Sequence, residues 1–344
     1  MIEWQVNKLC LNDETLWQAW ADIVEKHHAN NPMLHHYFVK RLVEFFPSDI
    51  YVARAIDTVL QATVAIVLIQ KCQKGCWQVY KPSQAQAALA VVNKTVSVDL
   101  RTLLTHIPGM ALKIDCLALD PQEHQSLISP LPDNALSDAA TNIKIEVDED
   151  FDNYWLQRIK VLKKNMRRYH NRIDKEQAPM TIALVTEPDE LLAAVDRYGM
   201  MESRGWKGQL GTALHPGNTQ GTFYRRLLKD YGDLQQAIVV ELRLGDTLVA
   251  SRLCVFNDDM FIILKTTYEE SYKRFAVGKV LLYHVVKHVF DSQLSRTIDF
   301  YTNANRDQID WSTSQRQMLN ATAYRYQWME SLVAMMKKIR QKVR

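Results

Sequence analysis

The sequence has few of the residues that mark disordered, extracellular or membrane-spanning proteins. Its 344 residues include only eleven glycines and ten prolines, too few for a chain rich in linkers or low-complexity segments. The five cysteines are scattered and odd in number, which favours reduced thiols in the cytoplasm over a disulfide framework. The most apolar run, residues 59–69, is interrupted by Gln61 and Thr63 and is too short to span a bilayer. The first residues contain no basic segment followed by an apolar one, so we expect no secretion signal.

The composition is that of a soluble globular protein whose positive charge is unevenly distributed. Apolar residues make up 47% and charged residues 24%, and the length suits two domains. The net charge of +3 is too small to indicate a nucleic-acid partner, and we expect none. Basic residues nevertheless form two clusters, one within a helix predicted over 151–176 and one at the chain end. The clusters consist of Lys160, Lys163, Lys164, Arg167, Arg168, Arg172, Lys175, and of Lys337, Lys338, Arg340, Lys342, Arg344.

Hydrophobic periodicity predicts an α+β fold. In the C-terminal half, a strand and two helices are followed by three strands, a further helix and a last strand. These predicted elements cover residues 180–186, 188–203, 219–231, 237–243, 247–256, 260–268, 277–291 and 296–301. The N-terminal half repeats a blurred version of this order, with a helix expected over 84–93. We therefore expect tandem domains of related fold, each a mostly antiparallel sheet flanked by helices. They would be residues 1–145, a basic connecting helix over 146–176, and residues 177–344, which end in a C-terminal helix.

The turn before the helix predicted at 277–291 has the composition of an anion site. A strand that ends at Tyr268 leads into a helix whose first turn holds Gly278 and Lys279. Backbone N–H groups at a helix start have no intrahelical partner, a glycine allows close approach, and adjacent cations favour a negative group. The pyrophosphate of coenzyme A is a suitable guest. The alternative is a surface loop with ordinary solvated charges, because a single glycine is a weak signal.

A second glycine-containing segment carries a family resemblance. The run Glu202-Ser203-Arg204-Gly205-Trp206-Lys207-Gly208, followed by Gly211-Thr212-Ala213-Leu214, resembles the signature E-x-x-G-W-K-G-x-x-G-T-A-L. This signature belongs to the GNAT-fold acetyltransferases called CelD-like or BioF2-like. The segment Arg274 to Gly278 takes the place of the family's coenzyme-binding turn R-Y-S-P-G, with Ala276-Val277 in place of Ser-Pro. The resemblance covers about residues 150–312, and the N-terminal half resembles the partner half of Fem-like tandem GNAT proteins.

The resemblance implies transfer of an acetyl or longer acyl group from coenzyme A. An amine or hydroxyl would attack the thioester of acetyl-CoA or another acyl-CoA, and the acceptor would be a cell-envelope, polysaccharide or lipid precursor. We expect no metal. Adjacent histidines point in different directions with no Cys or acidic cluster to complete a site, and Cys72 and Cys76 lack a second pair. By their positions in the family's motifs, the coenzyme-binding residues would be Lys265, Thr266, Thr267, Arg274, Phe275, Ala276, Val277, Gly278 and Lys279.

Two residues are candidates for proton transfer. Glu202 lies beside the glycine loop at the end of a helix, where a carboxylate opposes the helix dipole, and it is the leading candidate for the general base. Its alternative role is to pair with Arg204 or Lys207 and to shape the loop. Tyr301, at the end of the last strand, is the candidate acid for the departing thiolate, and its alternative role is packing.

The acceptor is expected to meet the glycine loop and the polar block that follows the last strand. The predicted acceptor-side residues are Trp206, Lys207, Asn303, Asn305 and Trp311. For Trp206 the alternative is a packing role. Lys265, a lone cation in an apolar strand, must reach a ligand, a salt-bridge partner or solvent.

The same residues leave other functions open. A Fem-like aminoacyl transferase would use charged tRNA in place of acyl-CoA, and a decayed GNAT fold would serve as a non-catalytic assembly protein. The basic helix is either a solvated connector or a site for an anionic partner such as lipid headgroups. The C-terminal helix, apolar from Trp328 to Ile339, either rests on a membrane surface or packs on the N-terminal domain. We expect a cytoplasmic protein with possible contact at the inner face of the membrane.

Overall fold

Two compact units are present in the computed structural model, which describes residues 2–176, 178–333 and 335. The first unit takes the described part of residues 1–29, 33–141 and 316–344, and the second takes residues 30–32 and 142–315. Each unit combines a sheet with helices, so the predicted α+β class is confirmed. The predicted domain boundaries at 145 and 176 stay a prediction, because contacts describe compactness and not independent folding.

The helices and strands follow one another along the chain in an order that mixes both types throughout. They are β1 (Ile2–Lys8), α1 (Glu14–His27), α2 (His36–Phe45), β2 (Ile50–Asp57), β3 (Ala62–Gln73), β4 (Gly75–Val79), β5 (Ala90–Val92), α3 (Leu100–His106), β6 (Ala111–Leu119), α4 (Pro121–Ile128), β7 (Leu136–Glu146), α5 (Phe151–Gln157), α6 (Lys160–Asp174), β8 (Met180–Val185), α7 (Pro188–Arg204), α8 (Trp206–Gln209), α9 (Thr219–Asp233), β9 (Ala237–Leu244), β10 (Thr247–Phe256), β11 (Met260–Tyr268), α10 (Val277–Ser292), β12 (Thr297–Asp299), α11 (Arg306–Ile309) and β13 (Ser314–Tyr324).

The sheet of the first unit has the strand order β1-β2-β3-β4-β6-β13, with β5 beside β3. Its neighbours are antiparallel except for β4 and β6. The prediction of a helix over 84–93 is wrong, because residues 90–92 form the strand β5. Val91 and Val92 are fully buried and pair with Ile66 and Ala65 of β3. Pairing with a buried strand overrides the helical preference of the alanine-rich stretch before it.

The sheet of the second unit has the order β7-β12-β11-β10-β9-β8. Its neighbours are antiparallel except for β11 and β12. Helix α10 packs on β9, β10 and β11, and it buries Val280, Leu281, Val285 and Val289 completely. Full burial of such a side chain stabilises a fold by about 1.5–3 kcal/mol. This stripe therefore fixes the position of α10, and with it the turn that precedes the helix.

Strand β11 separates from β12 well before it ends. The two strands pair only from Met260 to Ile262, whereas β11 continues to Tyr268. On its other edge, β11 pairs with β10 along its length, with an irregularity at Leu264, which has no partner between Ile263 and Lys265. The strand edge from residue 263 onward therefore faces an opening in the sheet.

The basic segment consists of two helices where the sequence predicted one. Helix α5 ends at Gln157, and α6 begins at Lys160, because Arg158 and Ile159 have extended backbones. The guanidinium of Arg158 donates to the backbone oxygens of Trp311 and Ser312. These bonds hold the break in place. They join residues far apart in sequence, which helical periodicity cannot reveal.

The C-terminal helix is described only in part. Residues 327–333 are helical, and the side chains of Trp328 and Leu332 are exposed. Met336, Ile339 and the predicted basic end from Lys337 to Arg344 lie outside the described residues. Among the residues that the structure describes, no helix is both long and apolar enough to cross a membrane.

Candidate active site

A cavity of about 510 Å³ opens in the second unit where β11 leaves β12. Its walls come from α6, β10, β11, the turn before α10, the first turns of α10 and the segment after β12. The lining residues are Tyr169, Arg252, Thr266, Tyr268, Lys273, Ala276, Val277, Gly278, Lys279, Leu282, Phe300, Asn305, Asp307, Gln308 and Trp311. The structure therefore brings the predicted coenzyme turn and part of the predicted acceptor block into one cavity.

The turn before α10 presents backbone N–H groups to this cavity. Residues 270–275 form a 3₁₀ turn, and Ala276 then adopts a left-handed backbone with φ 53°. The first-turn N–H groups of Val277 and Gly278 have no intrahelical acceptor, and no side chain in the described part of the chain caps this helix start. Together with the ammonium groups of Lys273 and Lys279 in the cavity wall, they form a site suited to an anion.

Gly278 lines the cavity without a side chain. The packing of the neighbouring side chains does not require a glycine here. A Cβ atom at this position would lie 3.5 Å from the ring of Tyr268, which is ordinary van der Waals contact. Lys279 already has a partner, because its Nζ lies 2.7 Å from Oδ2 of Asp307. The hydrogen bond from Lys279 lowers the pKa of the Asp307 carboxyl. An incoming anion would therefore compete with Asp307 for this lysine.

A second pocket of about 50 Å³ lies beside the glycine loop. It is lined by Glu202, Gly205, Trp206, Lys207, Thr266, Thr267, Tyr268 and Glu270. Thr266 and Tyr268 belong to the walls of both cavities. The end of β11 therefore separates a large cavity at the helix start from a small pocket at the glycine loop, and both reach the same two side chains.

Glu202 is buried and holds both ends of the glycine loop. Its Oε1 accepts hydrogen bonds from the hydroxyl of Tyr198 at 3.1 Å and from Nζ of Lys207 at 2.5 Å. Its Oε2 accepts one from the backbone N–H of Leu214 at 2.7 Å. The predicted pairing with Lys207 is present, whereas Arg204 pairs with Glu269 at 3.1 Å. Burial, followed by the charge of Glu202, raises the pKa of Tyr198.

Lys265 lies near Glu202 but outside the walls of both cavities. Its Nζ is 5.5 Å from the centre of the Tyr224 ring. Burial lowers the pKa of Lys265, and the negative charge of Glu202 partly offsets this effect. The predicted contact of Lys265 with the coenzyme therefore stays a prediction.

The glycine loop is also joined to the turn after β11. The backbone N–H of Trp206 donates to Oε1 of Glu270 at 2.9 Å, and a Cβ atom on Gly205 would lie 3.1 Å from the same oxygen. The indole of Trp206 is 57% exposed, so it is not a core side chain. Trp206 and Lys207 both line the small pocket, as a contact with an acceptor would require.

Several predicted site residues lie away from the cavities. The phenol oxygen of Tyr301 accepts a hydrogen bond from Nδ2 of Asn31 at 2.7 Å, and Tyr301 lines neither cavity. Asn303 is exposed outside both walls, Phe275 is buried in the core, and Arg274 pairs with Glu176 at 3.2 Å. Asn305 and Trp311, expected on the acceptor side, line the large cavity and not the small pocket.

Four residues that contact the cavities or the glycine loop were not predicted as site residues from the sequence. Tyr268 lines both cavities, Glu270 holds the loop, and Tyr169 of α6 and Arg252 of β10 line the large cavity. For Arg252 a signal was present, because it is a lone cation in an apolar strand, the reasoning applied to Lys265. Within the described residues, no group of three or more His, Cys, Asp or Glu side chains is arranged to hold a metal ion.

Comparison with known proteins identifies the fold. Residues 160–308 match the family model of the acetyltransferase (GNAT) domain. FemX is 9% identical with a TM-score of 0.55, and the match covers 96% of this chain and 100% of that one. The C-terminal domain (DUF2156) of a protein assigned as a lysylphosphatidylglycerol synthetase, from Agrobacterium fabrum, is 11% identical with a TM-score of 0.54, covering 94% and 95%. L-PGS from Bacillus licheniformis is 10% identical with a TM-score of 0.53, covering 94% and 96%.

These matches confirm the predicted fold and the predicted class of enzyme. Residues 160–308 match the GNAT acetyltransferase domain, and the chain is a transferase with an α+β, GNAT-like fold. The solved structures are too distant in sequence to show more than the fold. A search among proteins of curated function found no significant match. The finer resemblance to the CelD-like or BioF2-like proteins stays a prediction.

The glycine loop generates a first prediction, for Gly208. A Cβ atom at Gly208 would lie 1.8 Å from the backbone oxygen of Ser203, so the loop must shift to accept a side chain. At Gly211 a Cβ atom meets nothing within 4 Å, although φ is +68°. We expect Gly211→Ala to cost about 1–2 kcal/mol of unfolding free energy through backbone strain, and Gly208→Ala to cost more. Urea unfolding of both variants measures the difference, and equal losses would contradict the described loop.

Proposed function

We propose that this transferase, whose residues 160–308 match the GNAT acetyltransferase domain, moves an acetyl or longer acyl group from acyl-CoA to an amine or hydroxyl acceptor. The observation that carries the proposal is the large cavity. One end has the uncapped start of α10 between Lys273 and Lys279, and the other reaches the free edge of β11. In acyl-CoA a narrow arm with two amides joins the pyrophosphate to the thioester.

The free edge of β11 gives the thioester its polar partners. In the described part of the chain, no strand pairs with β11 on the β12 side beyond Ile262. Backbone N–H and C=O groups on that edge need hydrogen-bond partners, which the amides of the coenzyme arm would supply. A backbone N–H aimed at the thioester carbonyl would stabilise the negative oxygen formed when the acceptor attacks.

The acceptor would approach from the small pocket. It shares Thr266 and Tyr268 with the coenzyme cavity, so a nucleophile there would lie close to the thioester. Glu202 lines this pocket and would take the proton from the attacking amine or hydroxyl. The thiolate would leave with a proton from a phenol. Tyr268 lies in both walls and is better placed for this step than Tyr301, whose hydroxyl is bonded to Asn31.

The second candidate is a Fem-like aminoacyl transferase that uses charged tRNA. Two observations favour it: the likeness of the whole fold to FemX, and the exposed cations of α6, among them Arg167, Arg168 and Arg172. The compact anion site at α10 favours the acyl-CoA donor. A non-catalytic assembly role has no observation of its own among the described residues.

We place the acceptor among precursors of the cell envelope, polysaccharides or lipids, and the protein in the cytoplasm at the membrane surface. The junction of α5 and α6 supports the membrane contact. Leu156, Ile159 and Val161 are 69%, 46% and 63% exposed, next to Lys160 and Lys164. Apolar side chains beside cations suit the interface of an anionic bilayer.

The donor prediction concerns Gly278. Acetyl-CoA at 100 times its Kd should stabilise the wild type by about 2.7 kcal/mol. Gly278→Glu should abolish this stabilisation and the release of thiol, since it places bulk and negative charge at the phosphates. Gly278→Ala is the matched control, because its Cβ atom fits against Tyr268. If no acyl-CoA stabilises the wild type, the donor is wrong, and transfer from charged tRNA would then support the second candidate.

The base prediction concerns Glu202. Glu202→Gln keeps an oxygen for the N–H of Leu214 but removes the basic carboxylate. We expect kcat to fall by about 10²–10⁴. The control is Lys207→Met, which removes the ion pair but keeps the carboxylate. If both variants lose only folding stability, measured by thermal unfolding, and keep their kcat, Glu202 serves the loop and not proton transfer.

The membrane prediction concerns the α5–α6 junction. A triple variant, Leu156→Ser with Ile159→Ser and Val161→Ser, should bind vesicles rich in phosphatidylglycerol at least about tenfold more weakly, since each buried side chain contributes on the order of 1 kcal/mol. Leu234→Ser removes a side chain that is 41% exposed at the end of α9, and it serves as the control. Cosedimentation measures both. Equal binding by the triple variant and the wild type would exclude this surface.

A further inference from the structure

One cation of the large cavity, Arg252, has no negatively charged partner among the residues that the structure describes. Arg252 is only 8% exposed and lines the cavity from β10. Its Nη2 donates to the backbone oxygen of Gly278 at 3.1 Å, while its buried Nε has no hydrogen-bond partner in the described part of the chain. Among the described residues, no carboxylate forms an ion pair with it. A guanidinium has five N–H donors, so most of its capacity is unused.

This arrangement is unfavourable for a protein without a ligand. Burial lowers the pKa of Arg252 to about 10, which leaves the side chain charged at neutral pH. A buried charge without a counter-charge opposes folding. A bond to Gly278 alone could be made by a neutral amide, so tethering of α10 does not explain why the residue here is an arginine.

Arg252 lies next to the part of the large cavity that adjoins the small pocket. It pairs directly with Thr266 of β11, and directly opposed residues of antiparallel strands project on the same face of the sheet. Thr266 lines both the large cavity and the small pocket. Lys279, by contrast, has a side chain that is 46% exposed and paired with Asp307. The cavity therefore has a solvated anion site at the start of α10 and a buried cation beside Thr266.

We propose that Arg252 binds an oxyanion group of the ligand in the large cavity, either a carboxylate on the transferred acyl group or a phosphate of its carrier. This inference rests on the proposed function for its ligand. The guanidinium offers its free N–H groups in the planar arrangement that carboxylates and phosphates accept. A bound oxyanion would supply the missing counter-charge, and an acyl-CoA with an acidic acyl chain would place one beside Thr266.

The test compares anionic probes on the full chain. Calorimetric titration of acetyl-CoA, succinyl-CoA, free succinate and inorganic pyrophosphate is done with the wild type, Arg252→Gln and Arg252→Lys. If Arg252 binds an acyl carboxylate, the wild type prefers succinyl-CoA to acetyl-CoA by about tenfold or more. Arg252→Gln then removes the preference and Arg252→Lys restores part of it. If Arg252 binds a phosphate, Arg252→Gln weakens both acyl-CoAs and pyrophosphate alike.

A second variant tests the site without removing the arginine. Thr266→Glu places a carboxylate opposite Arg252, and Thr266→Gln has the same size without the charge. Thr266→Glu should lose affinity for the probe that Arg252 binds by about tenfold more than Thr266→Gln, because the internal carboxylate occupies the guanidinium. This comparison holds even if Arg252→Gln fails to fold.

The outcomes separate this inference from the proposed donor. The inference is overturned if Arg252→Gln binds every probe as tightly as the wild type does. It is also overturned if Thr266→Glu and Thr266→Gln bind every probe with equal affinity. If neither acyl-CoA binds the wild type but succinate or pyrophosphate does, and Arg252→Gln loses that binding, the oxyanion site stands and the acyl-CoA donor fails. If no probe binds the wild type, both proposals fail.

Discussion

Strand β11 pairs with β12 from Met260 to Ile262 and then runs to Tyr268 with no described strand paired to that edge. The separation opens the sheet of the second unit and leaves room for the large cavity. It also exposes backbone groups that a folded protein normally pairs. A ligand with amides along its length can supply those partners. The core beneath α10 holds the strand and the helix at fixed positions on either side of the opening.

The glycine loop is held against the end of β11 by a few buried polar contacts. Glu202 accepts bonds from both ends of the loop, and Glu270 joins its start to the turn that leads into α10. The glycine loop and the turn before α10 are therefore joined by a direct hydrogen bond. If Glu202 is the general base that we propose, it would have two tasks, because the hydrogen bonds that shape the loop occupy much of its acceptor capacity. Movement of Lys207 away from Glu202 would free a lone pair for the acceptor.

Local patterns in the sequence predicted most of the second unit but only part of its site. Except for the short helix α8, which falls in a segment expected to be a loop, the strands and helices from Met180 to Ser292 follow from periodicity. The chemistry of a helix start predicted a site at Gly278, and this residue lines the large cavity. What was missed depends on contacts between distant residues. The break at Arg158 depends on carbonyl groups of residues 311 and 312, and the phenol of Tyr301 is bonded to Asn31. No local pattern encodes such contacts.

The position of the predicted acceptor block also depends on contacts between distant residues. Asn305 and Trp311 follow β12 and were expected beside the glycine loop. In the structure they line the large cavity at the start of α10. Their position depends on the path that the chain takes through α11 after β12. A capping box at Asn305 and Gln308 fixes where α11 begins. It does not fix the direction in which the chain returns to the sheet.

The positive charges around the large cavity differ in depth, and depth determines what each can select. Lys279, which is exposed and paired with Asp307, contributes little to discrimination between anions, because water and salt screen its charge. Arg252 lies in the wall, where screening is weak and the described residues offer no competing carboxylate. The scaffold shared with FemX at 9% identity does not fix such side chains. If the chain binds the proposed donors, we expect discrimination between them to come from the cavity wall, which Arg252, Thr266 and Gly278 line.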